Sequence, residues 1–290
     1  MAAFSCETQF RKNSNERLAS EGIIEYKKPE WLEKYRVLAN DASDVCEKGR
    51  SGRVYRLHFS LDLFKMQSAE QIITTQKTGE ALTNFTFRKN DLVIGDRIYS
   101  TFKGINHCLE CEADFVLRLR KNSFSLYDAN GENLDLLEKL QAISDNEVLD
   151  QPILVKLDGK EMTALRVCAK RKPEAYRKQN DKKLRRRETR HQIEISSQAK
   201  EFNNFIVVVT NLPEAITAEQ ILELYKMRWQ IEIYFKRLKS ILDFGELPKR
   251  RENGALAWLN GKIMVALLIE RFLSRQIFSP VQKLPTQHLA

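Results

Sequence analysis

Residues 54–64, VYRLHFSLDLF, alternate apolar and polar side chains with a period of two, the pattern of a strand with one face on a core. Shorter apolar runs at Tyr35–Asn40 (YRVLAN), Leu92–Gly95 and Phe115–Leu119 (FVLRL) also read as strands, the first ending at Asp41 and the second at Asp96. Ala69–Glu80 and Tyr99–Glu110 read as helices. Residues 121–210 change character: the short β-like runs LVKL, ALRVCA, HQIEIS and FIVVVT are separated by polar turns, which predicts a mostly β insertion. After Pro213 the pattern becomes helical. Thr217 and Gln220 have the spacing of a capping box, and a further apolar helix is expected over about 254–278. The order predicts an α/β core interrupted by a second module. Its parts are a short amino-terminal segment (1–34) set off near Pro29, a first core segment (35–120), the insertion (121–210) and a helical remainder (211–290).

At 290 residues, 42% hydrophobic and 30% charged, the chain can bury a sizeable core. Its net charge is +9, and nearly all of that excess sits in residues 170–190, where eleven Lys or Arg face three acidic residues. Such a block suits a nucleic-acid backbone, because cations neutralise phosphates without reading sequence, and it also suits a solvated loop. Arg185, Arg186 and Arg187 are its densest part. The amino terminus lacks an apolar signal-type core, and the longest unbroken apolar run, Ile263–Ile269, is far too short for a bilayer; the expectation is a cytoplasmic protein without a membrane partner. Five cysteines fit reduced thiols, although His107, Cys108 and Cys111 together resemble half of a metal knuckle.

Tyr225–Lys239, YKMRWQIEIYFKRLK, carries the densest chemistry. At about 100° per residue, Tyr225, Arg228, Glu232 and Lys239 fall within roughly 60° on one helical face, along ~21 Å of rod. Met227, Ile231, Leu238 and Ile241 form the opposite, apolar stripe. An ordinary amphipathic helix has the same look. Two strand-end aspartates upstream alter the weighing, since three carboxylates on separate elements of one core are what a two-metal phosphoryl-transfer site needs. Asp44 and Asp91 are the competing aspartates; Asp41 is favoured because it leads Ala42-Ser43, and Asp91 precedes rather than ends its apolar run.

Tyr225-x2-Arg228-x3-Glu232-x6-Lys239 resembles the YREK signature of bacterial insertion-sequence DDE transposases of the IS4-like kind. The likeness extends to DAS at Asp41, YRLHFSLDL at Tyr55, GDRIYS at Asp96, ADFVLRL and WLNGKIMVALLIERF, over about 35–275. It implies a ribonuclease-H-like catalytic core interrupted by a mostly β insertion. Asp41, Asp96 and Glu232 would be the catalytic, metal-holding carboxylates, with two Mg2+ ions that Mn2+ can replace. The implied activity is cleavage of double-stranded DNA at transposon ends and strand transfer to target DNA, by a homo-oligomer assembled on that DNA in the bacterial nucleoid. Tyr225, Arg228 and Lys239 would contact DNA near the cleaved end, with Lys236 a further DNA-binding candidate on the same helix; Arg185, Arg186 and Arg187 are DNA-binding candidates from the charge of their block.

The chain departs from the family pattern in places. Ile98 stands where glycine is usual, so a positive φ there would be strained, and Glu112 occupies another position where glycine is common. Only 40 residues precede Asp41. A shortened, catalytically silent DNA-binding copy that inhibits transposition and a nuclease on the same fold are the alternative functions.

Overall fold

The computed structural model describes residues 28–47, 53–121, 123–157, 162–247 and 252–275. The expected amino-terminal segment lies outside them except for residues 28–34. In chain order the strands are β1 (Arg36–Glu47), β2 (Arg53–Asp62), β3 (Gln67–Thr75), β4 (Asp91–Gly95), β5 (Asp114–Arg118), β6 (Leu126–Tyr127), β7 (Val148–Lys156), β8 (Met162–Arg171), β9 (Phe205–Thr210) and β10 (Glu246–Leu247). The helices are α1 (Phe102–Glu110), α2 (Leu136–Ala142), α3 (Glu174–His191), α4 (Ser197–Phe202), α5 (Ala218–Lys226), α6 (Trp229–Leu242) and α7 (Glu252–Arg275). The result is a mixed α/β protein with a large mixed sheet. No helix among the described residues is long and apolar enough to cross a membrane.

The chain divides into two compact units. The first comprises Pro29–Asp41 and Gly79–Glu232; the second gathers Ala42–Thr78 and the chain from Ile233 on. In the first, the opening half of β1 runs parallel to β4, β4 runs parallel to β5, and β9, β8, β7 and β6 continue from β5 as antiparallel neighbours. β4 is buried along its whole length, as a parallel strand covered on both faces should be. Its register against β1 is pinned at one end. Arg36 pairs with Asp91 across the strands, and its guanidinium donates from Nε and Nη2 to the two carboxylate oxygens at 2.7 Å each. Asp91, the competing aspartate, is fully buried in this fork, and the Arg88 backbone N–H also donates to it.

In the second unit, β2 pairs with β3 antiparallel and β10 pairs with the end of β1. The alternation in β2 predicts one solvated face. Instead Arg56, His58, Ser60 and Asp62 are buried along with their apolar neighbours. Partners make this tolerable: across strands His58 bonds Thr74 at 2.9 Å and Arg56 bonds Asp44 at 3.0 Å, and in the turn after β2 Asp62 accepts from the backbone of Phe64 and Lys65. Burial pushes the His58 imidazole down to about 4, with Arg56 adding to the effect. Asp44 is therefore engaged in an ion pair here.

Several expected elements differ. Ala69–Glu80 is not a helix: its first half belongs to β3, where Ile72, Ile73 and Thr74 pair with β2, and β-branched residues prefer that setting. The helix expected from Tyr99 starts at Phe102, because Thr101 serves as N-cap and accepts from the Gly104 N–H. β1 does not end at Asp41 but continues to Glu47. The basic block is helix α3, opened by Pro173 and closed by Gln192 in the left-handed region, with no buried residue. HQIEIS forms no strand; His191 ends α3, and Ser196 caps α4. The Thr217–Gln220 capping box is formed in full.

The rod expected through Tyr225–Lys239 is broken. α5 stops at Lys226 and α6 starts at Trp229; between them Met227, Arg228, Gln230 and Ile231 each donate to the carbonyl three residues earlier. Such a tightened turn shifts the helical phase. Tyr225 is consequently buried, and in the expected apolar stripe Ile231 and Leu238 are buried whereas Ile241 is 69% exposed.

Candidate active site

The β1–β4 register sets the geometry of the site. Asn40 pairs with Gly95, so the next residues, Asp41 and Asp96, follow side by side at the ends of matched segments. Neighbouring strands lie ~4.8 Å apart, which brings the two backbones to one level. Both aspartates are half-buried. Gly95 belongs to this arrangement: a Cβ there would stand 2.9 Å from Leu117 Cδ2 and 3.1 Å from Tyr99 Cβ, so the strand preceding Asp96 packs too closely for a side chain. Ile98, expected to be strained in place of glycine, does not have positive φ and is exposed.

Asp96 carries one buried oxygen, Oδ1, with no hydrogen-bond partner. The charge of Asp96 acts on Arg97, Arg228 and the Tyr225 phenol. Burial raises the Tyr225 phenol, and the Arg228 guanidinium opposes that rise. The Tyr225 hydroxyl is buried without a hydrogen bond of ordinary geometry, and the Arg228 guanidinium lies 5.9 Å from its ring centre. Arg228 in turn donates to Glu232 Oε1 at 2.5 Å, in the first turn of α6. Asp41, Asp96, Tyr225, Arg228 and Glu232 thus all belong to the first unit, the last four linked by charge. Lys236 and Lys239 are exposed on the part of α6 that belongs to the second unit, and Arg185, Arg186 and Arg187 are exposed on α3.

A divalent cation such as Mg2+ takes oxygen ligands. The matched aspartates and the unpartnered Asp96 oxygen fit one. Among the described residues, no group of three or more His, Cys, Asp or Glu is gathered closely enough to hold a metal, and Glu232 is bonded to Arg228. The His107-Cys108-Cys111 cluster has another use. Cys108 is core, its thiol pushed up by burial, and the His107 ring donates to the Phe85 carbonyl at 2.9 Å.

Sequence reasoning missed Arg97, Arg118 and Lys172. Arg97 donates to Asn203 Oδ1 at 3.0 Å and Lys172 Nζ to the Asn203 carbonyl at 2.5 Å, and both feel the charge of Arg118 on β5. Arg97 was visible within GDRIYS, but nothing in the sequence joined residues 97, 118 and 172.

An α/β sheet with paired acidic residues at matched strand positions and a cation-flanked glutamate defines a class, and comparison names it. Residues 34–268 match the Transposase DDE domain, and the chain belongs to that family. It is 24% identical over 247 residues to the transposase for insertion sequence element IS421 of Escherichia coli, covering 83% of this chain. It is 26% identical over 216 residues to the transposase for IS231F of Bacillus thuringiensis subsp. israelensis, covering 68%. A shorter match, 35% over 86 residues, is to the transposase for IS1151 of Clostridium perfringens, covering 29% of this chain and 18% of that one. The chain spans 66% of the length of the IS421 relative and 45% of the IS231F relative.

Proposed function

We propose that this chain is the catalytic part of an insertion-sequence transposase, which cuts DNA at the transposon ends and joins the freed 3′-hydroxyl to target DNA. The observation that carries the reading is the β1–β4 register that sets Asp41 beside Asp96, with a buried oxygen of Asp96 unpartnered. The parallel run β1–β4–β5 supports a ribonuclease-H-like core formed by 35–120 and 211–290. The intervening 121–210 is a β-rich insertion whose strand β9 joins that sheet directly.

Asp41, Asp96 and Glu232 would hold divalent ions, Mg2+ or in its place Mn2+. Two such ions, when bound, stabilise charge on the attacking and leaving oxygens of an in-line phosphoryl transfer. The chain's own contribution is positioning. Glu232 is paired through Oε1 to Arg228, which leaves its second carboxylate oxygen to an ion. A strand phosphate is the natural partner for the Arg228 guanidinium, which can fork onto two phosphate oxygens. Tyr225 offers its buried hydroxyl as a donor to the same strand. Lys236 and Lys239 add point charges, and Arg185–Arg187 on α3 neutralise the backbone of the duplex. Because α3 buries nothing, neutralising those three arginines should weaken binding to every DNA sequence and reduce the salt slope by up to about 2.7, without unfolding the protein. A homo-oligomer on DNA would bring two ends together.

The test is cleavage and strand transfer on DNA carrying the element's ends, with Mg2+ or Mn2+. Glu232→Gln and Asp96→Asn should abolish both while DNA binding persists. Full metal-dependent activity in Glu232→Gln would overturn the assignment.

A further inference from the structure

Helix α7 is apolar on two opposite sides. Ala255, Leu259, Ile263, Ala266 and Leu267 are buried and fall within about 120° of one another, on the side turned to the core of the second unit. Met264, Val265, Leu268, Ile269 and Phe272 occupy about 140° on the other side. There Met264, Val265 and Ile269 are 38–40% exposed, Phe272 is 63% exposed and Leu268 is half-buried. Polar residues bound this stripe, Lys262 along one edge and Asn260 and Arg271 along the other. Lys262 holds its ammonium 5.0 Å from the centre of the Trp258 ring, and Asn260 donates to the Leu256 carbonyl. A contiguous apolar face inside a polar rim is the anatomy of a protein interface.

Gly261 lies at the middle of the stripe. A Cβ there would meet no atom within 4 Å among the described residues, so packing within the chain does not require glycine. Glycine inside a helix is unfavourable relative to alanine, and close approach of another backbone is a physical reason to keep it. Small and large residues along the stripe also complement each other. A two-fold contact sets residue i against j and j against i. Two copies of α7 crossing antiparallel at the level of residue 263 would set Phe272 against Gly254, Ile269 against Ala257 and Val265 against Gly261. Large meets small at each of these positions, over ~27 Å of helix. At ~200 Å² per large side chain, the four exposed ones leave roughly 350 Å² on each copy, or ~700 Å² for the pair. Half-buried Trp258 and Leu268 bring the total near ~1,000 Å², the lower bound for a specific interface.

We propose that α7 is a homodimer interface, on which a second copy of this chain packs antiparallel along the Met264–Phe272 stripe. Its area belongs to the weak end of specific contacts, with a Kd on the order of 10 μM. This deepens the homo-oligomer of the proposed function, on which the role of the contact rests. Two copies that each hold one DNA end reach a high effective concentration, which strengthens a weak contact without adding new ones.

The first arm of the test is sedimentation equilibrium of the full chain, without DNA or metal, from ~1 to ~100 μM. A monomer–dimer equilibrium is expected. Val265→Glu and Phe272→Glu should each weaken it at least about tenfold, because the contact would bury an unpaired charge. Gly261→Leu should weaken it as well, yet hold or raise the melting temperature of the dilute chain, since a Cβ there has open space and leucine is the better helix former. A chain that stays monomeric to ~100 μM overturns the interface, as does a dimer that both glutamate variants leave unchanged. A melting temperature lowered by more than ~4 °C in dilute Phe272→Glu also overturns it, because the chain itself would then cover the stripe. The second arm follows gel shifts of complexes that hold one or two end-bearing duplexes. Loss of the paired complex in Val265→Glu, with the single complex retained, assigns the contact to end pairing. A paired complex unchanged beside a lost dimer overturns that role and leaves the interface intact. A chain that dimerises through α7 but neither binds nor cuts such ends would end the transposase reading alone.

Discussion

Replacing Asp91 by asparagine tests whether an ion pair five residues away holds the candidate carboxylates in register. Asp91 is fully buried and accepts two guanidinium N–H bonds at 2.7 Å from Arg36 and one backbone N–H from Arg88 at 3.0 Å. Asparagine keeps the volume and one acceptor oxygen, but points an N–H donor at one arm of the fork. Hydrogen bonds to charged groups are worth about 1.5–3 kcal/mol each, and Arg36, 27% exposed, regains part of its hydration, so Asp91→Asn should cost ~2–3 kcal/mol. Arg36→Met should cost more, ~3–5 kcal/mol, because it strands a fully buried carboxylate whose remaining guanidinium neighbour, Arg88, is 3.9 Å away and mostly exposed. Urea unfolding followed by circular dichroism, at constant m, measures both. A loss below ~0.5 kcal/mol for Asp91→Asn, or a smaller loss for Arg36→Met than for Asp91→Asn, would refute the account. Since a one-residue slip in a strand turns every side chain to the other face, DNA cleavage per folded molecule should fall in both variants as well.

Other expectations concern separate elements. Glu112 has φ +52°, so Glu112→Gly should raise stability by ~1 kcal/mol, read as an increased melting temperature. Arg166 donates to the carbonyls of Leu212, Pro213 and Ile216 and forks onto Asp150, fastening the loop before α5. Arg166→Met should therefore cost ~3–5 kcal/mol in chemical denaturation and increase proteolysis between 212 and 217. Burial raises the Glu270 carboxyl to about 7, against the pull of Tyr234 and the Ser68 N–H. Its folded value lies above the unfolded one of about 4.3, so its contribution is complete below that pH and is lost as pH rises through 7. Glu270→Gln should remove this decline from urea midpoints measured between about pH 4.5 and 7.

Legibility followed the range of the forces involved. The buried runs at Leu92–Gly95 and Phe205–Thr210 and the capping box at Thr217 were readable because burial on both faces and a local N–H acceptor leave their mark in neighbouring residues. β3 was not, since its pairing with β2 outweighs its local preference. The polar alternation of β2 gave no hint that Arg56 and His58 would be buried, for their partners Asp44 and Thr74 come from other strands. The aspartates stood out as carboxylates after apolar runs, although β1 continues past Asp41.

By itself, then, the sequence determined the residue types of the candidate site, the basic block and the family, because spacing along one chain carries them. Tertiary structure decided what those residues face. Parallel pairing between residues some 55 positions apart put Asp41 beside Asp96 and gave Asp91 to Arg36. A tightened turn at Met227–Arg228 broke the expected single rod and left Tyr225 on α5 and Glu232 on α6. The fold brought Arg97 and Lys172 to opposite polar groups of one residue, Asn203, a meeting across the chain that leaves no period in the sequence.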